Sequence, residues 1–70
     1  MMPLTLAEVG EDKIIKKVGG SDEVRKHLED IGFVSGGSIL LINKLSGNVI
    51  VDVKGSRVAI SEEMARRIMV

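Results

Sequence analysis

Between Ser21 and Gly37 the sequence spells out one small helix with its start, its buried stripe and its stop. Ser21 is an N-cap, whose hydroxyl can accept from a free N–H of the first turn. Asp22 and Glu23 then place negative charge at the positive end of the helix dipole. Val24, Leu28 and Ile31 recur at helical spacing and predict one apolar face. Gly32 suits the left-handed residue that closes a helix, and Phe33 just beyond it can fold back on Leu28. Phe33 is the only aromatic residue in the chain. The segment is therefore a determinant of the fold before it is anything else.

Seventy residues make one domain, in which about 60% of the unfolded chain's surface can be buried. Hydrophobic residues are 44% of the chain, and with a single Phe the core must come from Val, Ile, Leu and Met. No cysteine is present, which excludes thiol chemistry and a disulfide framework. Ten basic and ten acidic residues cancel, so no overall field draws the protein to nucleic acid or to an anionic membrane. The first residues lack the basic stretch and long apolar run of a signal peptide. The longest apolar run, Ile39 to Ile42, is too short to cross a bilayer. A soluble cytoplasmic protein without membrane insertion is expected.

Thr5-Leu6-Ala7-Glu8 has capping-box spacing and predicts a helical turn that tucks Leu4, Leu6 and Val9 under the fold. Ile14, Ile15 and Val18, interleaved with Lys13, Lys16 and Lys17, predict a first strand of imperfect alternation that stops at Gly19-Gly20. After the helix, Gly36-Gly37 leads into Ser38 to Leu45, a strand apolar on both faces and so expected to be covered on both. Ser46-Gly47-Asn48 predicts a hairpin loop into Val49 to Lys54. Gly55-Ser56-Arg57 predicts a second turn into Val58 to Ile60. Ser61 is a second N-cap, and Ser61 to Arg67 should be a short helix. The tail Ile68-Met69-Val70 is expected to pair with the first strand and close the sheet. These elements describe a mainly β fold, a small, partly open SH3-like barrel of about five strands with one inserted α-helix and a helical turn before the last strand.

The search for chemistry is short. The single histidine, His27, lies on the helix among charged neighbours, and no serine is marked as its partner. The serines stand beside glycines or at helix starts, where capping and turns explain them. The glycine pairs lack the Walker lysine and the dinucleotide-binding spacing. An enzyme is not expected, and no cofactor is implied. Glu23, His27 and Asp30 do share a helical face, and imidazole with two carboxylates could hold a divalent metal. A structural zinc site wants four closed ligands, usually thiolates, so the same trio also reads as a solvated face with charge pairs. A nucleic-acid-binding barrel is the rival reading, but there is no aromatic platform for bases. Lys13, Lys16 and Lys17 read as an edge-strand guard rather than a phosphate track.

Taken together, Arg25-x-x-Leu28-x-x-x-Gly32-Phe33-x-x-Gly36, the apolar strand, the Gly-containing hairpin, Val51-x-Val53-x-Gly55 and Ala65-x-x-Ile68-x-Val70 resemble the ferrous-iron transport protein A family (FeoA). The likeness runs from Leu4 to Val70. It implies a cytoplasmic SH3-like binding module that regulates or assembles a membrane ferrous-iron transporter carrying a cytosolic GTPase domain, and it leaves self-association open. Many members have Pro where this chain has Ser35, and a Gly-Pro pair where it has Gly47-Asn48; Ser and Asn form turns too, so the fold is expected to survive both changes. The same barrel occurs as a domain of iron-dependent repressors, which makes a detached regulatory domain the alternative, although this chain lacks DNA-binding helices. The outward side of the helix, Arg25, Lys26, His27 and Glu29, and the turn at Ser35-Gly36 are the expected partner-binding surfaces, since helix edges and loops on a rigid barrel commonly carry recognition.

Overall fold

The computed structural model describes residues 1–70. A 3-10 turn at Leu4–Leu6 precedes strands β1 (Asp12–Ile14) and β2 (Lys17–Val18), helix α1 (Asp22–Ile31), strands β3 (Ser38–Leu45), β4 (Asn48–Val53) and β5 (Ser56–Ser61), helix α2 (Glu62–Ala65) and strand β6 (Ile68–Met69). All pairings are antiparallel: β1-β3-β4-β5 form one sheet and β2-β6 the other. Six strands result, one more than expected, because the first predicted strand divides in two.

The reason for that division is the spacing of its inward residues. Ile15 and Val18 are both buried while Ile14 is half exposed, and two inward positions three residues apart cannot share one strand of period two. The chain bends at Ile15 and Lys16 and passes from one sheet to the other. Ile15 exchanges hydrogen bonds with the turn after α1: its N–H donates to Gly37 (2.8 Å) and its carbonyl accepts from Gly36 (2.7 Å). The Lys16 N–H donates instead to Met69 (2.8 Å). Beyond β6, the N–H groups of Met2 and Val70 each donate to the other's carbonyl, at 2.9 and 2.8 Å, so the tail lies between the two ends of the chain's first stretch and closes the barrel as expected.

Helix α1 forms as its sequence dictates. The Ser21 hydroxyl accepts from the Val24 N–H at 3.3 Å. At the other end Gly32 has φ +124°, and its N–H donates to Glu29 (3.0 Å) while the Phe33 N–H donates to Leu28 (2.9 Å). That is the paired hydrogen bonding of a Schellman ending. Leu28 and Phe33 are both fully buried. In α2 the Ser61 hydroxyl accepts from Met64 N–H at 3.2 Å, again as read.

The core is continuous and aliphatic apart from Phe33, and no polar or charged residue is buried in it. Ile39 and Leu41 of β3 and Val49, Val51 and Val53 of β4 supply its central layer. Leu40 and Ile42 on the other face of β3 are half-buried, so that face is only partly covered. Between Leu41 and Asn43 the register with β4 shifts, leaving Ile42 as the extra residue of a bulge.

Three expectations are corrected. The first turn is 3-10 rather than a capping box: Pro3 precedes it without a side-chain cap, and Leu4 and Ala7, three apart, point inward. Leu6 and Val9 therefore face solvent, 66% and 54% exposed. The second hairpin turns at Lys54-Gly55, both with positive φ, and Ser56-Arg57 already belong to β5. Those dihedrals define a primed turn that suits the twist of the strands, and Lys54 is the one non-glycine residue held there. Finally, α2 ends at Ala65, so Arg66 and Arg67 lie just beyond it.

Replacing the buried ring tests the weight of the helix ending. Phe-to-Ala changes in cores cost about 3–5 kcal/mol, and a domain of this size has only about 4–10 kcal/mol in total. Phe33→Ala should therefore lose most of its stability in urea unfolding. A loss below about 1 kcal/mol would show that the ring contributes little to the core.

Candidate functional site

The outward face of α1 is held on a rigid base, because its ending is buried and its first turn is capped. Arg25 pairs with Asp22 at 2.5 Å, one turn away. Lys26, His27 and Glu29 are exposed and take part in none of the five salt bridges of the chain. They present a cation, an imidazole and a carboxylate to solvent, with no intramolecular ion-pair partner. Ser35 and Gly36 are also exposed, but their bonds run elsewhere: the Ser35 hydroxyl donates to the Lys16 carbonyl (3.4 Å), and Gly36 N–H to Ile15. The helix face and the turn are thus two stretches, and the hydrogen bonds of the turn join it to the barrel corner.

Glu23, His27 and Asp30 are likewise exposed on α1. Nowhere do three His, Cys, Asp or Glu side chains come together so as to hold a metal ion, and this trio forms no such group. The one titration displaced by its surroundings is that of Glu11, just before β1. Its carboxylate accepts from the Glu8 N–H at 2.7 Å and faces Lys13 at 3.2 Å, and both hold its pKa below the ordinary carboxylate value. That arrangement pins the loop before β1, where Gly10 N–H donates to Leu41 at 2.7 Å.

Sequence reading alone missed one grouping. The pairing of β2 with β6 places Lys17 beside Met69, and brings Lys17 together with Arg66 and Arg67 around Gly19-Gly20 in a hollow of about 200 Å³. In the sequence these cations belong to two separate clusters, a lysine run and a helix end. Only the predicted pairing of the tail with the first strand carried a hint that they meet. A second, smaller hollow of about 140 Å³ lies between the first turn, the β3-β4 hairpin and α2, where Lys44 Nζ donates to the Thr5 carbonyl at 3.0 Å.

The FeoA domain family model matches residues 2–70. A "Putative Fe(2+) transport protein A" from Methanocaldococcus jannaschii is 36% identical over 70 residues, spanning all of this chain and 85% of that one. The chain belongs to the FeoA family. A crystal structure of an iron uptake regulatory protein, FeoA, superimposes with a TM-score of 0.90 at 30% identity, covering 99% of this chain and 92% of that chain. The zinc complex of Stenotrophomonas maltophilia FeoA, described as an SH3 domain protein, superimposes at 0.85 with 24% identity over 100% and 89% of the two chains. The SH3-like FeoA barrel read from the sequence is thus the observed fold. No helix of this FeoA domain is long and apolar enough to cross a membrane.

With no converging ligand set around the only imidazole, zinc should not find a site at His27. Calorimetric titration with zinc is expected to give the same isotherm for the unmodified chain and His27→Ala. A one-to-one isotherm lost in His27→Ala would place a metal on the α1 face.

Proposed function

We propose that this FeoA domain is a cytoplasmic, non-catalytic binding module that regulates or assembles a membrane ferrous-iron transporter by docking on the transporter's cytosolic GTPase domain through the outward face of α1. The observation that carries the reading is the combination of a helix anchored by buried Leu28 and Phe33 with an exposed face whose Lys26, His27 and Glu29 have no intramolecular ion-pair partners. Family membership supplies the setting, since proteins named for Fe(2+) transport and iron uptake share this fold along nearly their whole length.

The physics favours recognition over chemistry. A pre-formed helix face loses little backbone freedom on binding. Mixed charges on such a face act mainly on partner choice and association rate, rather than on bulk affinity. The turn at Ser35-Gly36 follows the helix directly and is fixed to the barrel corner, so it can extend the docking surface without adjustment.

Arg25→Glu reverses one charge of this face. It also replaces the exposed pair with Asp22 by like-charge neighbours in Asp22 and Glu29, together costing about 0.5–1 kcal/mol, which leaves the fold standing. Capture of the GTPase domain of the cognate transporter by immobilised Arg25→Glu should fall by about tenfold relative to the unmodified chain. Equal capture by the two would remove the α1 face from the proposal. Failure of the unmodified chain to capture the domain at all would remove the partner.

A further inference from the structure

We propose that the hollow between β2, β6 and the segment after α2 binds a phosphate-type oxyanion. Its lining brings together Lys17, Arg66 and Arg67 with Gly19 and Gly20, between Met1 and Met69, and includes no carboxylate. In a chain with no net charge, three cations around one concavity form a local feature, and the topology makes it. Lys17 pairs in register with Met69, and Gly19 N–H donates to the Arg67 carbonyl at 2.7 Å.

The arrangement of Arg67 is the more specific observation. Its backbone is held on both sides, the carbonyl by Gly19 and the N–H by the Met64 carbonyl (3.1 Å). Its side chain lies over Gly20, where a Cβ would meet Nη1 at 3.1 Å and Cδ at 3.2 Å. Gly20 has φ +104° and leaves that space open for the guanidinium. The Gly20 N–H is bonded to no other group of the chain, so a lining residue retains a free donor. The carboxylates nearest in sequence each take one nitrogen of an arginine: Arg66 Nη2 donates to Glu62 at 3.2 Å, and Arg67 Nη2 stands 3.6 Å from Glu63. Most of their N–H donors remain unclaimed.

Chemistry and size select the ligand class. Planar guanidinium forks match the oxygens of phosphate with two hydrogen bonds each, and a lysine adds a point charge, a set that suits a dianion. The volume is about 200 Å³, below the roughly 300–1,000 Å³ of sites that enclose a drug-sized molecule. It holds a single phosphate group with some of its water, while any nucleoside attached to that phosphate would lie outside. Free inorganic phosphate and the terminal phosphate of a nucleotide share this chemistry.

The test is a titration of the isotopically labelled full chain, followed by backbone amide shifts, with sodium phosphate, with ADP and with sodium chloride as the control. Phosphate is expected to give saturable shifts confined to Lys17–Gly20 and Arg66–Met69. The Lys17→Gln/Arg66→Gln double variant, altered only at exposed side chains and checked by its unchanged spectrum elsewhere, should bind about tenfold more weakly or worse, as loss of charge-assisted hydrogen bonds requires. Tighter binding of ADP than of phosphate would assign the ligand as a nucleotide's phosphate, and equal or weaker binding would assign free phosphate. The proposal is overturned if the shifts do not saturate, if chloride reproduces them, or if the double variant binds as the unmodified chain does.

Discussion

The burial of Phe33 in the core, at the ending of α1, is the constraint on which the rest of this barrel depends. The chain has one aromatic ring, and placing it at the helix ending joins three levels of structure at once. Gly32 turns the backbone with φ +124°, the Phe33 N–H closes on the Leu28 carbonyl, and both side chains enter the core fully buried. The following residues, Gly36 and Gly37, then bond to Ile15 at the corner where the chain crosses between sheets. The helix is thereby fixed to the barrel at its end and through the turn beyond. The aliphatic stem of Lys54 also lies over Gly32, where a Cβ would meet Cδ at 3.4 Å, so the β4-β5 hairpin packs on the same point.

Much of this was legible because local signals and global fold agree. Ser21 and Ser61 cap as their positions suggest, the β3-β4 hairpin turns within the loop read at Ser46-Gly47-Asn48, with Asn48 already paired in β4, and the tail pairs with the first strand. The failures have physical causes. The division of β1 from β2 was hidden because Lys13, Lys16 and Lys17 mask the three-residue spacing of Ile15 and Val18. The bulge at Ile42 sits inside an apolar run that looks the same with or without it. The turn at Lys54-Gly55 escaped because lysine seldom takes positive φ, and here the strand register imposes it.

Surface features divide along the same line. The exposed face of α1 follows from helical periodicity and could be drawn from the sequence alone. The cationic hollow could not: Lys17 and Arg67 are fifty residues apart in the sequence, and only the β2-β6 ladder joins them. Both surfaces rest on backbone tied into the barrel, one through the helix ending and the other through the closure of the chain's two ends. A FeoA domain built in this way presents its charges on a scaffold that need not rearrange to bind.

The claim that the helix ending belongs to the same cooperative unit as the sheet is tested most directly by native-state amide hydrogen exchange. The Gly32 and Phe33 amides should exchange as slowly as those of the central strand β4, through global unfolding alone. Exchange at Phe33 about a hundredfold faster than in β4 would mean that the helix ending opens by itself, and would contradict the account.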